Sequence, residues 1–207
     1  GIYGTGVAKT TLIGGTINYV YGGSNTKGNV RGGTTMSTPG TNVDCPLAIK
    51  EIYGAGRDAE QDGGVTLILG CVTGMDYVYG GARNAHVKGG VDLVITSGHF
   101  KGVFGGNDQS GSIQGPITLT IEETGCDPLV IDNLYLGGNN AAYSIFGYKN
   151  ESGTLVARSS MSDGDAVNPP AEDPEDSDII ENQLYRNPEL NVVSCTSIGN
   201  VFGGGYG

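Results

Sequence analysis

Met75-Asp76-Tyr77-Val78-Tyr79-Gly80-Gly81 returns along the chain with small edits. Copies stand at Asn18-Tyr19-Val20-Tyr21-Gly22-Gly23, Glu51-Ile52-Tyr53-Gly54, Gly102-Val103-Phe104-Gly105-Gly106 and Asn200-Val201-Phe202-Gly203-Gly204. A weaker copy is Leu134-Tyr135-Leu136-Gly137-Gly138, and a truncated one is Ile2-Tyr3-Gly4. Most copies are an aliphatic, an aromatic, then glycine. A unit recurring at a near-fixed period is the mark of a repeat array. The first glycines of the copies are 18, 32, 26, 25, 32 and 66 residues apart, so the bare unit is about 25 residues and the longer intervals carry loops.

The middle unit has three parts. His86-Val87-Lys88-Gly89-Gly90 is a short strand closed by a glycine pair. Val91-Asp92-Leu93-Val94-Ile95 alternates, and Lys101-Gly102-Val103-Phe104-Gly105 closes the unit. The alternating part recurs as Val65-Thr66-Leu67-Ile68-Leu69 and Ile117-Thr118-Leu119-Thr120-Ile121. A period of two places Val65, Leu67 and Leu69 on one face, matched by Val91, Leu93 and Ile95 and by Ile117, Leu119 and Ile121. Short strands joined by glycine corners predict an all-β fold: one parallel β-helix domain over 1–207, with about six rungs of roughly 25 residues, expected to be right-handed. No rung buries its apolar face alone, so rungs stack about 4.8 Å apart around a shared core. Glycine suits the corners because it takes positive φ without steric cost. Asn25, Asn84, Asn107 and Asn139 follow the repeat glycines and are placed to ladder between rungs.

Ser144-Ile145-Phe146-Gly147 comes too soon after Gly137 to open a rung, and it aligns instead with His86-Val87-Lys88-Gly89. That reading leaves one acidic insertion at about 149–188, with smaller loops near 37–47 and 122–132, all expected on one flank. Between Asp163 and Glu181 the insertion has several carboxylates, three prolines and no Lys or Arg. It reads as a solvated excursion or as a Ca²⁺ site, for which Asp163 and Asp165 are the nearest ligand pair.

Net charge is −11, with an isoelectric point near 4.4. An acidic chain without clustered Lys and Arg is a poor partner for nucleic acid or an anionic membrane surface. It has no run of 18 apolar residues, so membrane insertion is not expected. It opens at Gly1-Ile2-Tyr3-Gly4, already inside a repeat, so removal of a leader or excision from a longer array is expected.

Cys45, Cys71, Cys126 and Cys195 fall in nearly the same column of the repeat. Cys45 and Cys71 are on neighbouring rungs, as are Cys126 and Cys195. Rung spacing suits a disulfide, so Cys45–Cys71 and Cys126–Cys195 are the expected pairs, with free buried thiols the alternative. Bridges would place the chain in an oxidising compartment.

Tyr3, Tyr21, Tyr53, Tyr79, Phe104 and Phe202 form an aromatic column, of which the last five are the candidate binding residues. Facing outward, it would be a binding ladder for sugar rings; facing inward, it would be core, in competition with Val20, Ile52, Val78 and Val103. The rung-borne acids Asp76, Asp92, Asp108, Glu122 and Glu123 are isolated, and His86 and His99 have no nucleophile motif beside them. Paired carboxylates for glycoside hydrolysis are not seen, so no catalytic residue, enzyme activity or required cofactor is expected.

The V-[YF]-G-G-x-N unit, spaced by V-x-G-G and a Thr/Val-rich strand, resembles the glycine-rich surface repeats of secreted, adhesin-like proteins of Bacteroidetes-type bacteria. The resemblance covers nearly the whole chain outside 149–188. It implies an extracellular or cell-surface structural module. Both ends read as mid-repeat without a polar cap, so the expected partners are self-association end to end or further repeats of the same polypeptide, with glycans or a host surface as the other candidates. The alternative is a carbohydrate-binding or polysaccharide-active β-helix.

Overall fold

The computed structural model describes residues 6–40, 44–72, 74–141 and 188–207, and three short strands of the insertion. Two six-stranded parallel sheets carry the fold. The first contains β1 (Ala8–Thr11), β3 (Thr34–Thr38), β5 (Val65–Leu69), β7 (Val91–Ile95), β9 (Ile117–Glu122) and β14 (Glu189–Ser194). The second contains β2 (Gly15–Tyr21), β4 (Leu47–Tyr53), β6 (Gly74–Tyr79), β8 (Gly98–Phe104), β10 (Leu129–Tyr135) and β15 (Ser197–Phe202). Each rung is one strand from each sheet, giving six rungs among the described residues. Among the described residues there is no helix, and none long and apolar enough to cross a membrane.

The expected third strand is reduced to single bridges, Gln61 to Val87 and Val87 to Ile113. The glycine pairs after it pack too tightly to continue a ladder: a Cβ on Gly63 or Gly89 would meet the backbone of the neighbouring rung. The solenoid is therefore two sheets with a loop-built third side, not a closed three-walled prism.

The alternating strands behave as their period dictates. Val65, Leu67 and Leu69, Val91, Leu93 and Ile95, and Ile117, Leu119 and Ile121 are all buried, stacked in register. Thr34 and Thr38 take the same inward positions in rung two. Their hydroxyls donate to the carbonyls of Gly54 and Gly70 at 2.7 Å, which makes burial of the two polar groups tolerable. The second sheet adds Leu47, Ile49 and Ile52, Met75 and Val78, Phe100 and Val103, and Leu129, Ile131 and Leu134. The inward residues here step by two and then by three. The extra residue is Lys50, Asp76, Lys101 or Asp132, each skipped in the register. This aligned irregularity, repeated on successive rungs, turns Tyr53, Tyr79, Phe104 and Tyr135 away from the core.

The corner glycines are required for space rather than for positive φ. A Cβ on Gly54 would meet the Gly80 carbonyl and the Val65 side chain, and one on Gly80 would meet the Gly105 carbonyl and Val91. Neither has a positive φ; the left-handed glycines that open a strand are Gly15 and Gly98. In rung five the corner place after the aromatic belongs to Leu136, buried in the core, so the repeat is in phase with Leu136 rather than with Gly137.

Three sequence expectations are corrected. Loops 39–46 and 123–128 run from a first-sheet strand to a second-sheet strand, whereas the large insertion follows β10 of the second sheet, so the insertions do not share one flank. Phe146–Lys149 (β11) does not join a rung. It pairs antiparallel with Leu155–Ala157 (β12) and Leu184–Tyr185 (β13) in a separate small sheet. Neither expected disulfide forms: the bridge is Cys71–Cys126, with Cα atoms 5.2 Å apart, and Cys45 and Cys195 are free. It spans from rung three to rung five, past the short Thr96-Ser97 corner of rung four. Cys71 takes a left-handed φ of 51°, and its N–H donates to the Ser97 hydroxyl at 2.7 Å. The loop 123–128 supplies the reach, being held when the Leu129 N–H and the Thr196 hydroxyl donate to the Glu123 carboxylate at 2.9 and 2.7 Å.

Candidate functional site

The aromatic column is a continuous stack. Tyr21, Tyr53, Tyr79, Phe104, Tyr135 and Phe202 lie 4.7–5.1 Å apart, with interplanar angles of 3–13°. It forms a second apolar cluster apart from the main core. The faces are turned toward one another along the solenoid axis, so each ring shows only its rim. Tyr53, Tyr79, Phe104 and Tyr135 are buried, Tyr21 is half-buried, and Phe202 is 42% exposed at the end of the stack. A sugar ring needs an aromatic face, and the interior of the stack has none to give. The expected binding column is therefore packing, except at its ends.

Two registered columns flank the stack. One is Tyr19, Glu51, Tyr77, Gly102, Asn133 and Asn200. The other is Asn25, Arg57, Arg83, Asp108, Asn139 and Tyr206, four residues after each aromatic, joined rung to rung by backbone hydrogen bonds. Between them lie two clefts. The first, about 500 Å³, is lined by Tyr19, Tyr21, Gly23, Asn25, Arg57 and Arg83. The second, about 420 Å³, has Tyr77, Lys101, Asp132, Asn133, Asn139 and Tyr206 around the rims of Tyr79, Phe104 and Tyr135.

Tyr53 lines neither cleft. Its hydroxyl lies 2.8 Å from the Glu51 carboxylate and 3.0 Å from that of Asp108, which is itself buried. One proton serves two carboxylates. Burial first, then these acids, hold the Tyr53 hydroxyl well above the usual tyrosine range, and Tyr79 is raised in the same way. This polar knot ties the outer rim of the stack.

In the second cleft Tyr77 lies over Gly102, whose missing side chain leaves room: a Cβ there would come within 2.9 Å of the Tyr77 ring. Tyr77 is 37% exposed and Tyr206 is 66% exposed, set edge-on against Tyr135 at 5.7 Å. Lys101 is paired with Asp76 at 2.8 Å and Asp132 with His99 at 2.9 Å. With Lys101 and Asp132 both partnered, the cleft is a set of hydrogen-bonding groups lined by two exposed tyrosines, Tyr77 and Tyr206. Tyr77 and Tyr206 were missed from sequence, although Tyr19-Val20-Tyr21 and Tyr77-Val78-Tyr79 share the spacing that sets an outer tyrosine beside the stack. Tyr135 was missed because Leu136 breaks its glycine signature.

Asp163 and Asp165 lie outside the described residues, and among the described residues no group of three or more acids, histidines or cysteines is placed to hold a metal ion. Neither a protein-family model, nor a curated protein, nor a solved structure matches this chain, so the site is read from its own geometry.

Proposed function

We propose that this chain is a non-enzymatic structural or adhesive solenoid of the cell surface or extracellular space, whose copies stack end to end into a filament. One observation carries the reading: among the described residues both sheets and the aromatic stack end on strands without a further partner. β14 and β15 are the outermost strands at one end, β1 and β2 at the other. The last rung leaves Val192, Val201 and Phe202 exposed, and the first leaves Val7, Ile13 and Tyr19 exposed. Unpaired parallel strands with apolar columns associate unless they are covered. A second copy continues both sheets and both columns, aliphatic on aliphatic and Tyr21 on Phe202. The disulfide fits an oxidising compartment, which supports the extracellular placement. Negative-stain electron microscopy of the purified chain tests this: unbranched threads one solenoid wide are expected, and separate particles at high concentration would overturn it.

The Tyr77–Tyr206 cleft favours a second reading, a carbohydrate-binding module. Two exposed tyrosines with amide, lysine and carboxylate hydrogen bonders suit a hydroxyl-rich ring. Glycan-array binding lost in Tyr77→Ala with the fold intact would support it; an array without a hit would remove it.

A further inference from the structure

The rungs carry a period of three that the single-rung repeat hides. In rung three Cys71 sits in the corner between β5 and β6. In rung four the corner before β8 is short and opens on left-handed Gly98. In rung five a longer loop ends Cys126-Asp127-Pro128-Leu129, and Cys126 reaches back across rung four to Cys71. Three rungs on, the same parts return. Rung six has Cys195 in the corner between β14 and β15, in the column of Cys71: Leu69, Ile95 and Ile121 are in register two residues before Cys71, Ser97 and Glu123, and Glu122 pairs with Ser194. Rung one has a short corner that opens on left-handed Gly15, in the column of Gly98. Rung two has a longer loop ending Cys45-Pro46-Leu47, with Leu47 in the column of Leu129.

Within one chain Cys45 and Cys195 are four rungs apart, about 19 Å at the strand spacing. That is beyond the Cα separation a disulfide allows, about 7 Å. Both are free; Cys45 is exposed and Cys195 half-buried. If rung one of a second copy follows rung six, the order becomes Cys195, a Gly15 corner, then Cys45 in its Pro-Leu loop. That order matches Cys71, the Gly98 corner and Cys126.

We propose that Cys195 of one copy and Cys45 of the next form an intermolecular disulfide that locks the stack. The inference rests on the end-to-end reading above. The chemistry balances with a small-molecule disulfide as oxidant. One cysteine thiolate attacks it, forming a mixed disulfide and releasing one small thiol. The second cysteine thiolate then displaces the other small thiol and closes the bridge. Two protein thiols are oxidised, and one small disulfide is reduced to two thiols.

The test uses the chain of 207 residues, reduced gently enough to leave Cys71–Cys126 intact as checked by thiol counting, then treated with oxidised glutathione. Non-reducing electrophoresis is expected to show a ladder of covalent oligomers, with peptide mapping joining Cys45 to Cys195. Cys45→Ser alone and Cys195→Ser alone should each abolish the 45–195 link. A mixture of the two variants should give that link in a dimer and nothing longer, because each supplies one of the two thiols. Bridges joining Cys45 to Cys45 or Cys195 to Cys195 would overturn the proposal. The doubly substituted chain separates the two readings. Threads from that variant without a 45–195 bridge in the parent would sink the disulfide alone, whereas absence of threads from both would sink the stacking and the disulfide together.

Discussion

Asp108, four residues after the aromatic of the fourth rung, meets the hydroxyl of Tyr53 on the second rung at 3.0 Å. The contact ties separate rungs through side chains rather than through a sheet, at the rim of the stacked aromatics. It accounts for an acid sitting buried beside a tyrosine, and for the alkaline behaviour expected of the fold.

Tyr53 and Tyr79 both stay protonated in the folded chain above the pH at which a free tyrosine ionises, near 10. The folded form then binds more protons than the unfolded form. Their contribution is fully present below pH 10 and is lost as pH rises beyond it. Urea midpoints should therefore fall above about pH 10, and the fall should be shallower in Tyr53→Phe. At neutral pH Tyr53→Phe should itself lower stability by about 1–3 kcal/mol, since two carboxylates lose their shared donor. A parent-like alkaline slope in the variant would contradict this account.

On the acid side, Lys88 hydrogen-bonded at 2.8 Å holds the Asp62 carboxyl below its usual range, helped by Asn29. The Leu129 N–H and the Thr196 hydroxyl do the same for Glu123. These folded values are depressed, so the stabilisation is present above the ordinary carboxylate pKa, about 4, and is lost as pH falls through the lower folded values. Glu123→Gln should flatten the acid limb of the stability curve, as read by thermal melts between pH 2 and 5.

Gly80→Ala should destabilise by about 1–3 kcal/mol, because its Cβ meets the Gly105 carbonyl and Val91. Gly74→Ala is the control: nothing lies within 4 Å of its Cβ, and its melt should stay close to the parent's. Equal losses at both positions would show that glycine serves backbone conformation at the corner rather than space.

Replacing Cys71 and Cys126 by Ser should cost roughly 2–4 kcal/mol, since the bridge constrains a long stretch of the unfolded chain. Denaturation of the parent with and without strong reductant should show the same loss; a reductant-insensitive midpoint would argue against the bridge.

Much of this fold is legible in the residues. Val65-Leu67-Leu69 and its two counterparts declare their inward face by period alone, and six of the seven aromatic copies supply one ring to each described rung. What is not legible follows from geometry that a local pattern does not encode. The direction of Tyr79 depends on the skipped residue Asp76, which shifts phase between Met75 and Val78. Cys71 does not pair with Cys45 of the neighbouring rung because loop 123–128 carries Cys126 past a whole rung to reach it. Phe146-Gly147 copies the local signature and yet pairs antiparallel, since strand pairing is decided by partners distant in sequence. The clefts were hidden because Tyr77 and Tyr206 are defined by columns, and columns appear only once Leu136 is set in phase.

Sedimentation velocity of the chain across a concentration series, in reductant so that no intermolecular disulfide can form, tests end-to-end association most directly. The expected result is a distribution that grows with concentration in the parent and is cut back by Phe202→Asp, which sets a charge on the exposed end of the aromatic stack. A single monomer boundary at every concentration, with or without the substitution, would contradict the account.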